Sequence, residues 1–242
     1  MNTKQVVMIT GASMGLGKAA AKAFARQGAD LAICARGEVK LMETAKELEA
    51  LGADVLAVTA DASDPRDIER FVSLTESNFG RIDVLINNAS FLGPSPIPFL
   101  ADYPSEDFIE VLRVNAAGPF YVTKRVLPGM LQRGVGSIIN VTSEAGNVGY
   151  AGWGAYGVSK FALEGQTEIW ADELDGTGIR INMIDPGEMD TEMHDRAVPD
   201  CDYELADPEH LTDVFLYLAS DEANNVNGKR LEAQNFTVES RD

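Results

Sequence analysis

Two cysteines, Cys34 and Cys201, are all that the 242-residue chain holds. They cannot make a disulfide framework, and so few thiols point to a reducing compartment, with the cytoplasm as the expected location. Histidine is as scarce, at His194 and His210, and without a close Cys/His cluster no metal site is expected. No run of about 20 apolar residues occurs, so no membrane-spanning helix is expected. The opening MNTKQVVMITGA enters an apolar segment at once, without the long apolar stretch and cleavage site of a secretion signal. Basic residues are few: 20 Lys and Arg stand against 38 Asp and Glu, a formal charge of −18. Such a field repels polynucleotide backbones, and no nucleic-acid partner is expected. Repeats, low-complexity tracts and breaks in composition are absent too, so residues 1–242 read as one domain.

What the chain does have is an alternation of short apolar runs with helical patterns. QVVMIT (5–10), DLAICA (30–35), DVLAVTA (54–60), IDVLINN (82–88), GSIINVT (136–142) and IRINMID (179–185) read as buried strands. Between them the spacing predicts helices from Gly15 to Gln27, over 39–51, from Pro65, over 105–132 and over 155–174. Near-continuous apolar strands separated by helices imply a parallel sheet covered on both faces. Two stretches break the pattern. Residues 91–104 hold Pro94, Pro96, Pro98 and Pro104 and must be a loop, and 187–207 are long, polar and irregular, as a substrate loop or lid would be. Both follow the carboxyl ends of strands, where ligands bind in open α/β sheets.

TGASMGLG (10–17) joins the first strand to the first helix. Glycines at 11, 15 and 17 permit a tight turn, close approach of a pyrophosphate and close helix packing, and the helix start offers free backbone N–H groups to phosphate. Further on, GAYGVSKFAL sets Tyr156 and Lys160 four positions apart, on one face of a helix. An ordinary phenol titrates near ~10, and a neighbouring ammonium is expected to lower it toward neutral pH.

These residues resemble the classical short-chain dehydrogenase/reductase family over about residues 5 to 235. The family's glycine pattern is matched at Thr10, Gly11, Gly15 and Gly17, and its NNAG at Asn87, Asn88 and Ala89, with Ser90 in place of the last glycine. Asn115 in VLRVNAAGPF, Ser143 in INVTSEAG, and Tyr156 with Lys160 match its catalytic positions, and Pro186, Gly187 and Thr191 its PG-containing segment. The resemblance implies a Rossmann-type, doubly wound α/β domain of about seven parallel strands with helices on both faces. It implies an oxidoreductase that interconverts a secondary alcohol and a carbonyl compound, with a small-molecule substrate. Tyr156 would exchange the proton, Ser143 would hydrogen-bond the substrate oxygen, Lys160 would bind ribose hydroxyls, and Asn115 would hold a relay water. The implied dinucleotide contacts are Gly11, Ser13, Gly15, Leu16, Gly17, Arg36, Asp61, Ala62, Asn88, Ala89, Tyr156, Lys160, Pro186, Gly187 and Thr191. Asp61 reads equally as a helix cap ahead of Pro65.

The second strand ends in Ala35–Arg36, where NAD-dependent relatives carry an acid that accepts from the adenosine ribose. Arg36 suits a 2′-phosphate, so NADP(H) is expected over NAD(H), with Ser13 adding a hydroxyl. An NAD(H) enzyme, or a non-catalytic dinucleotide-binding regulator, is the alternative. Tyr150, Trp153, Phe91, Met189 and Met193 are candidates for an apolar substrate pocket. The family commonly forms dimers and tetramers through the helices read over 105–132 and 155–174, where Gly157, Ala162 and Gly165 would let helices approach.

Overall fold

The sheet is built from strands whose residues are buried on both faces, as their unbroken apolar runs require. In the computed structural model, which describes residues 4–237, the strands are β1 (Val6–Thr10), β2 (Asp30–Ala35), β3 (Val55–Thr59), β4 (Val84–Asn87), β5 (Gly136–Val141), β6 (Ile179–Asp185) and β7 (Arg230–Glu232). All pair in parallel, in the order β3-β2-β1-β4-β5-β6-β7. The expected doubly wound α/β sheet is therefore present, in one domain. Strand β7 was not among the six runs read from the sequence.

The helices are α1 (Gly15–Arg26), α2 (Glu38–Ala50), α3 (Pro65–Phe79), α4 (Ser105–Leu112), α5 (Gly118–Arg133), α6 (Gly154–Glu173), α7 (Glu192–Ala197) and α8 (Asp213–Leu218). Alternate residues of β1 feed two cores. Val7 and Ile9 pack with Phe24 of α1, Leu41 of α2 and Phe215 of α8, while Met8 packs with Phe71 of α3 and Val122 and Val126 of α5. Phe24, Phe71 and Phe215 are fully buried, and each such side chain stabilises by about 1.5–3 kcal/mol. No helix among the described residues is long and apolar enough to cross a membrane.

Two elements differ from the sequence reading. The helix expected over 105–132 is interrupted by a π-helical turn, Arg113–Ala117, which links α4 to α5. The irregular stretch 187–207 contains α7, capped by Thr191, whose hydroxyl accepts from the His194 N–H at 3.3 Å. The helix cap ahead of Pro65 is Asp64, which accepts from the Arg66 N–H; Asp61 instead accepts from the Ser63 N–H and hydroxyl in a local turn.

Successive crossovers carry β2 and β3 to one side of β1, and β4 onward to the other. The carboxyl ends of β1 and β4 thus flank a crevice at the switch point, the usual ligand position in such sheets.

Candidate active site

The glycine turn fills the crevice floor. Gly11 has φ +67° and Gly15 φ +52°, left-handed conformations that favour glycine. A Cβ on Gly11 would lie 2.7 Å from the Ala89 Cα, and one on Gly17 2.4 Å from both the Gly11 carbonyl oxygen and Asn88 Nδ2. The second strand of the crevice grips the turn in return. Asn88 Nδ2 donates to the carbonyls of Thr10 and Gly11 at 3.1 and 2.9 Å, and the Thr10 hydroxyl accepts from the N–H groups of Asn88 and Ala89. Two glycines and one asparagine thereby set the start of α1 against the open crevice, where its free N–H groups suit a phosphate.

A cleft of about 840 Å³ runs from this turn past the ends of β2 and β3 to α6. Gly11, Ser13, Gly15, Leu16, Arg36, Asp61, Ala62, Asn88, Ala89, Tyr156, Lys160, Pro186 and Thr191 all line it. A second cleft, of about 700 Å³, is lined by Ser143, Tyr150, Trp153, Met189 and Met193. The two meet at Thr142, Tyr156, Pro186, Met189, Thr191 and Met193.

Tyr156 and Lys160 are buried at that junction, 8% and 2% exposed. Lys160 Nζ lies 5.4 Å from the Tyr156 ring centroid and donates to the Val141 carbonyl at 2.8 Å. Burial dominates both groups. It pushes the Tyr156 phenol up to about 12, against which the Ser143 hydroxyl pulls down, Asp185 pushes further up and the Ser90 hydroxyl pulls down. It draws the Lys160 ammonium down to about 8, with Asp185 and Glu164 opposing. The expected lowering of the phenol by its lysine is thus not found: loss of water around the phenolate dominates, and the groups that pull it down are the Ser143 and Ser90 hydroxyls. The phenol is a held proton at neutral pH.

The match to a model of the short chain dehydrogenase family spans residues 5–202. The chain belongs to that family. A 3-oxoacyl-acyl-carrier-protein reductase, FabG, of Thermotoga maritima is 36% identical over 235 residues, covering 93% of this chain and 94% of its own. Among solved structures, an actinorhodin polyketide ketoreductase with NADPH superposes with a TM-score of 0.88 at 30% identity, covering 96% of this chain and 98% of its own. An NAD+-bound xylitol dehydrogenase gives 0.88 at 28% identity, with the same coverage. This short-chain dehydrogenase is therefore an oxidoreductase enzyme on a nicotinamide-dinucleotide fold.

Four sequence-derived positions fall elsewhere in the short-chain dehydrogenase. Gly17 lies under the turn and lines neither cleft; its part is packing. Gly187 lines the second cleft, where a Cβ would meet Gln234 Nε2 at 2.5 Å. Asn115 is in the π-helical turn and spends its side chain on other protein groups. Its Nδ2 donates to the Phe91 carbonyl and Ser159 hydroxyl, both at 2.9 Å, and its Oδ1 accepts from the Phe91 N–H at 2.7 Å and Ser90 Oγ at 3.3 Å. Phe91, a candidate for the pocket wall, packs instead beside Tyr103 and Val111. Sequence reasoning missed Lys18 and Lys40 in the first cleft, and Glu144, Asp185, Glu188 and Arg230 in the second cleft. Lys40 follows Arg36 by four residues, and that spacing was its only signal.

Proposed function

We propose that the enzyme interconverts a secondary alcohol and a carbonyl compound, uses NADP(H) in preference to NAD(H), and employs Tyr156 as its proton donor and acceptor. The observation that carries this reading is the meeting of the two clefts at the buried Tyr156 phenol, with Lys160 one helical turn away and Ser143 beside it. The glycine turn fits a dinucleotide: a Cβ at Gly11 or Gly17 would strike Ala89, Asn88 or the Gly11 carbonyl and displace the turn that aims the free N–H groups of α1 at the cleft. Gly11, Ser13, Gly15, Leu16, Asp61, Ala62, Asn88, Ala89, Pro186 and Thr191 would hold it, with Gly17 and Gly187 shaping the turns behind. When bound, the nicotinamide supplies or takes up the hydride.

The protein's own residues handle the proton. Tyr156 offers its phenolic hydrogen to a carbonyl oxygen in reduction, or receives the alcohol proton in oxidation. Ser143 orients that same oxygen, and positioning alone lowers the barrier by removing misaligned encounters. Lys160, anchored on Val141, keeps a positive charge under the phenol and faces the dinucleotide cleft, where it would meet ribose hydroxyls. Asn115 fixes the 90–91 segment beside Tyr156 through both its amide ends. A relay water joining Lys160 to solvent would lie beside Asn115 and not on its amide, which is committed to Ser90, Phe91 and Ser159.

Cofactor choice rests on Arg36. It lines the cleft directly after Ala35 and has no ion-pair partner among the described residues, whereas Lys18 and Lys40 are engaged by Glu47 and Glu192 at 2.8 and 3.1 Å. The enzyme also self-associates in this reading, through the exposed apolar side chains of α4 and α6.

A panel of ketones and alcohols, followed by nicotinamide absorbance with both cofactors, tests the proposal together with Tyr156→Phe. The variant should lose 10²–10⁴-fold in kcat, on the order expected for a positioned acid–base group, while its cofactor Kd stays within about twofold. Turnover within about tenfold of the parent would remove Tyr156 from the chemistry.

A further inference from the structure

Three successive residues at the carboxyl end of β5 are each gripped by a different side chain. The Val141 carbonyl accepts from Lys160 Nζ at 2.8 Å, the Thr142 hydroxyl donates to Glu164 Oε1 at 2.7 Å, and the Ser143 carbonyl lies 3.5 Å from an Arg230 guanidinium nitrogen. Tyr156, Lys160 and Glu164 follow one another at intervals of four on α6, so they share one face of that helix. Arg230, from the short last strand, ties the group together. Its Nε donates to Glu164 Oε1 at 3.2 Å and its Nη2 to Asp185 Oδ2 at 2.5 Å. The Arg230, Glu164 and Asp185 side chains are only 18, 12 and 8% exposed. Asp185 also receives the Gly187 N–H at 3.0 Å, at the start of the loop that borders both clefts. The packing is tight: a Cβ on Gly146 would come within 2.7 Å of the Thr142 hydroxyl and 2.8 Å of Glu164 Oε1.

We propose that Arg230, Glu164 and Asp185 form a positioning unit for the proton-transfer pair, holding Ser143 at a fixed height against α6 and balancing the charge behind Lys160. The inference rests on the proposed roles of Ser143, Tyr156 and Lys160. None of the three residues donates a proton; each acts through another group.

Lys160 stands among charged groups. Asp185 faces it from the end of β6, Glu164 from its own helix, and Arg230 from β7 stands behind both, in contact with each carboxylate. The Tyr156 ring centroid lies 5.4 Å away, and the end of β5 presents the uncharged Val141 carbonyl. Glu232, 56% exposed, reaches Arg230 at 3.4 Å from the rim. Two carboxylates therefore face two cations in a space largely closed to water, where charges act over short distances with little screening. Without the guanidinium, two buried carboxylates would face one ammonium, which would bind its proton more tightly. Without Asp185, the ammonium would lose its proton more readily.

An NMR titration of protein carrying isotope-labelled lysine tests this without any substrate, with the Lys160 resonance assigned by its loss in Lys160→Met. Arg230→Met should raise the Lys160 midpoint by about half a pH unit or more, and Asp185→Asn should lower it by a similar amount. The double variant should return it toward the parent value. A parallel assay of carbonyl reduction should show kcat reduced about tenfold in Arg230→Met, at a cofactor Kd unchanged within about twofold, as positioning at the reacting centre demands. A purely structural role would lower the melting temperature and leave the midpoints where they were, and that result would overturn the inference. Asp185→Asn keeps the side chain's shape, so it decides the matter if Arg230→Met fails to fold. Midpoints that shift in a parent enzyme reducing no carbonyl would sink the proposed function and leave the charge balance standing. Unmoved midpoints in an active enzyme would do the reverse.

Discussion

At the scale of single residues, the decisive effect at Tyr156 is burial rather than its lysine. The phenol keeps its proton far above neutral pH, which suits donation to a carbonyl, and Lys160 with a value drawn down to about 8 is the group that changes state in the working range. The sign follows directly: the ammonium is present below about pH 8 and is lost as pH rises through that value. Carbonyl reduction should therefore be flat from about pH 6 to 7.5 and decline above about 8, and Lys160→Met should abolish that decline along with most of the rate. A profile flat through pH 9.5 in the parent would contradict the assignment. Arg36 carries a separate expectation. Its guanidinium can meet a phosphate bidentately, and one charge-assisted hydrogen bond contributes roughly 1.5–3 kcal/mol, so Arg36→Ala should weaken NADP(H) by about 10- to 150-fold. Binding of NAD(H) should stay nearly constant, and competitive titration of the two cofactors measures both. Ser90 shows how a departure from a family pattern acquires a reason. Its hydroxyl reaches Asn115 Oδ1 at 3.3 Å and helps to lower the Tyr156 phenol, which a glycine could not do.

At the scale of elements, the turn before α1 is the least tolerant segment. Gly17→Ala places a methyl 2.4 Å from a backbone oxygen and from Asn88 Nδ2, so either α1 or the Asn88 strap must move. Overpacking of this kind typically costs 1–3 kcal/mol, and we expect a melting temperature lower by several degrees with cofactor affinity reduced at least tenfold. Gly149→Ala, in a loop with open space around the Cβ position and outside the lining of both clefts, is the control and should change neither. How much of this was legible depended on periodicity and contact. The strands that hold the site announced themselves, because Val7, Met8 and Ile9 or Ile138 and Ile139 are apolar on both faces and the parallel sheet buries both. The glycine turn, Asn88, Ser143 and the Tyr156–Lys160 pair could be placed along the clefts from the sequence because each belongs to a short, locally spaced motif. Strand β7 was not: Arg230, Leu231 and Glu232 have no apolar run, and only pairing with β6 makes them a strand. The π-helical turn at 113–117 was hidden too, since one extra residue per turn leaves no compositional trace. Glu164 and Arg230 gave no signal in the sequence, because the two partners lie 66 positions apart in the chain.

At the scale of the whole molecule, the −18 charge opposes association, yet α4 and α6 expose Ile109, Phe161 and Ile169 at 61, 46 and 61%. Of the small residues expected to let helices approach there, Gly157 faces inward against the Ala145 carbonyl and Trp153, while Gly165 is open. We expect dimers or tetramers by light scattering at micromolar concentration, and Phe161→Glu with Ile169→Glu should shift the mass toward the monomer, because two carboxylates would be buried unpaired. A monomeric parent would exclude this interface. The order of the sheet has a different consequence. Strands β1 to β3 and strands β4 to β7 are joined in the ladder only where Val7, Met8, Ile9 and Thr10 meet Val84, Leu85, Ile86 and Asn87. The cleft proposed for the dinucleotide lies over that seam, with lining residues from both halves. A ligand there would add a bridge between two parts of the polypeptide that otherwise meet through this one strand pair and the helices packed over it. By mass action, saturation at one hundred times Kd adds about 2.7 kcal/mol to stability, and amide hydrogen exchange along the seam should slow more than in the outer strands. The same cleft that admits a cofactor would then act as the latch of the sheet, and the enzyme's lifetime under heat or protease would follow the cell's supply of nicotinamide dinucleotide.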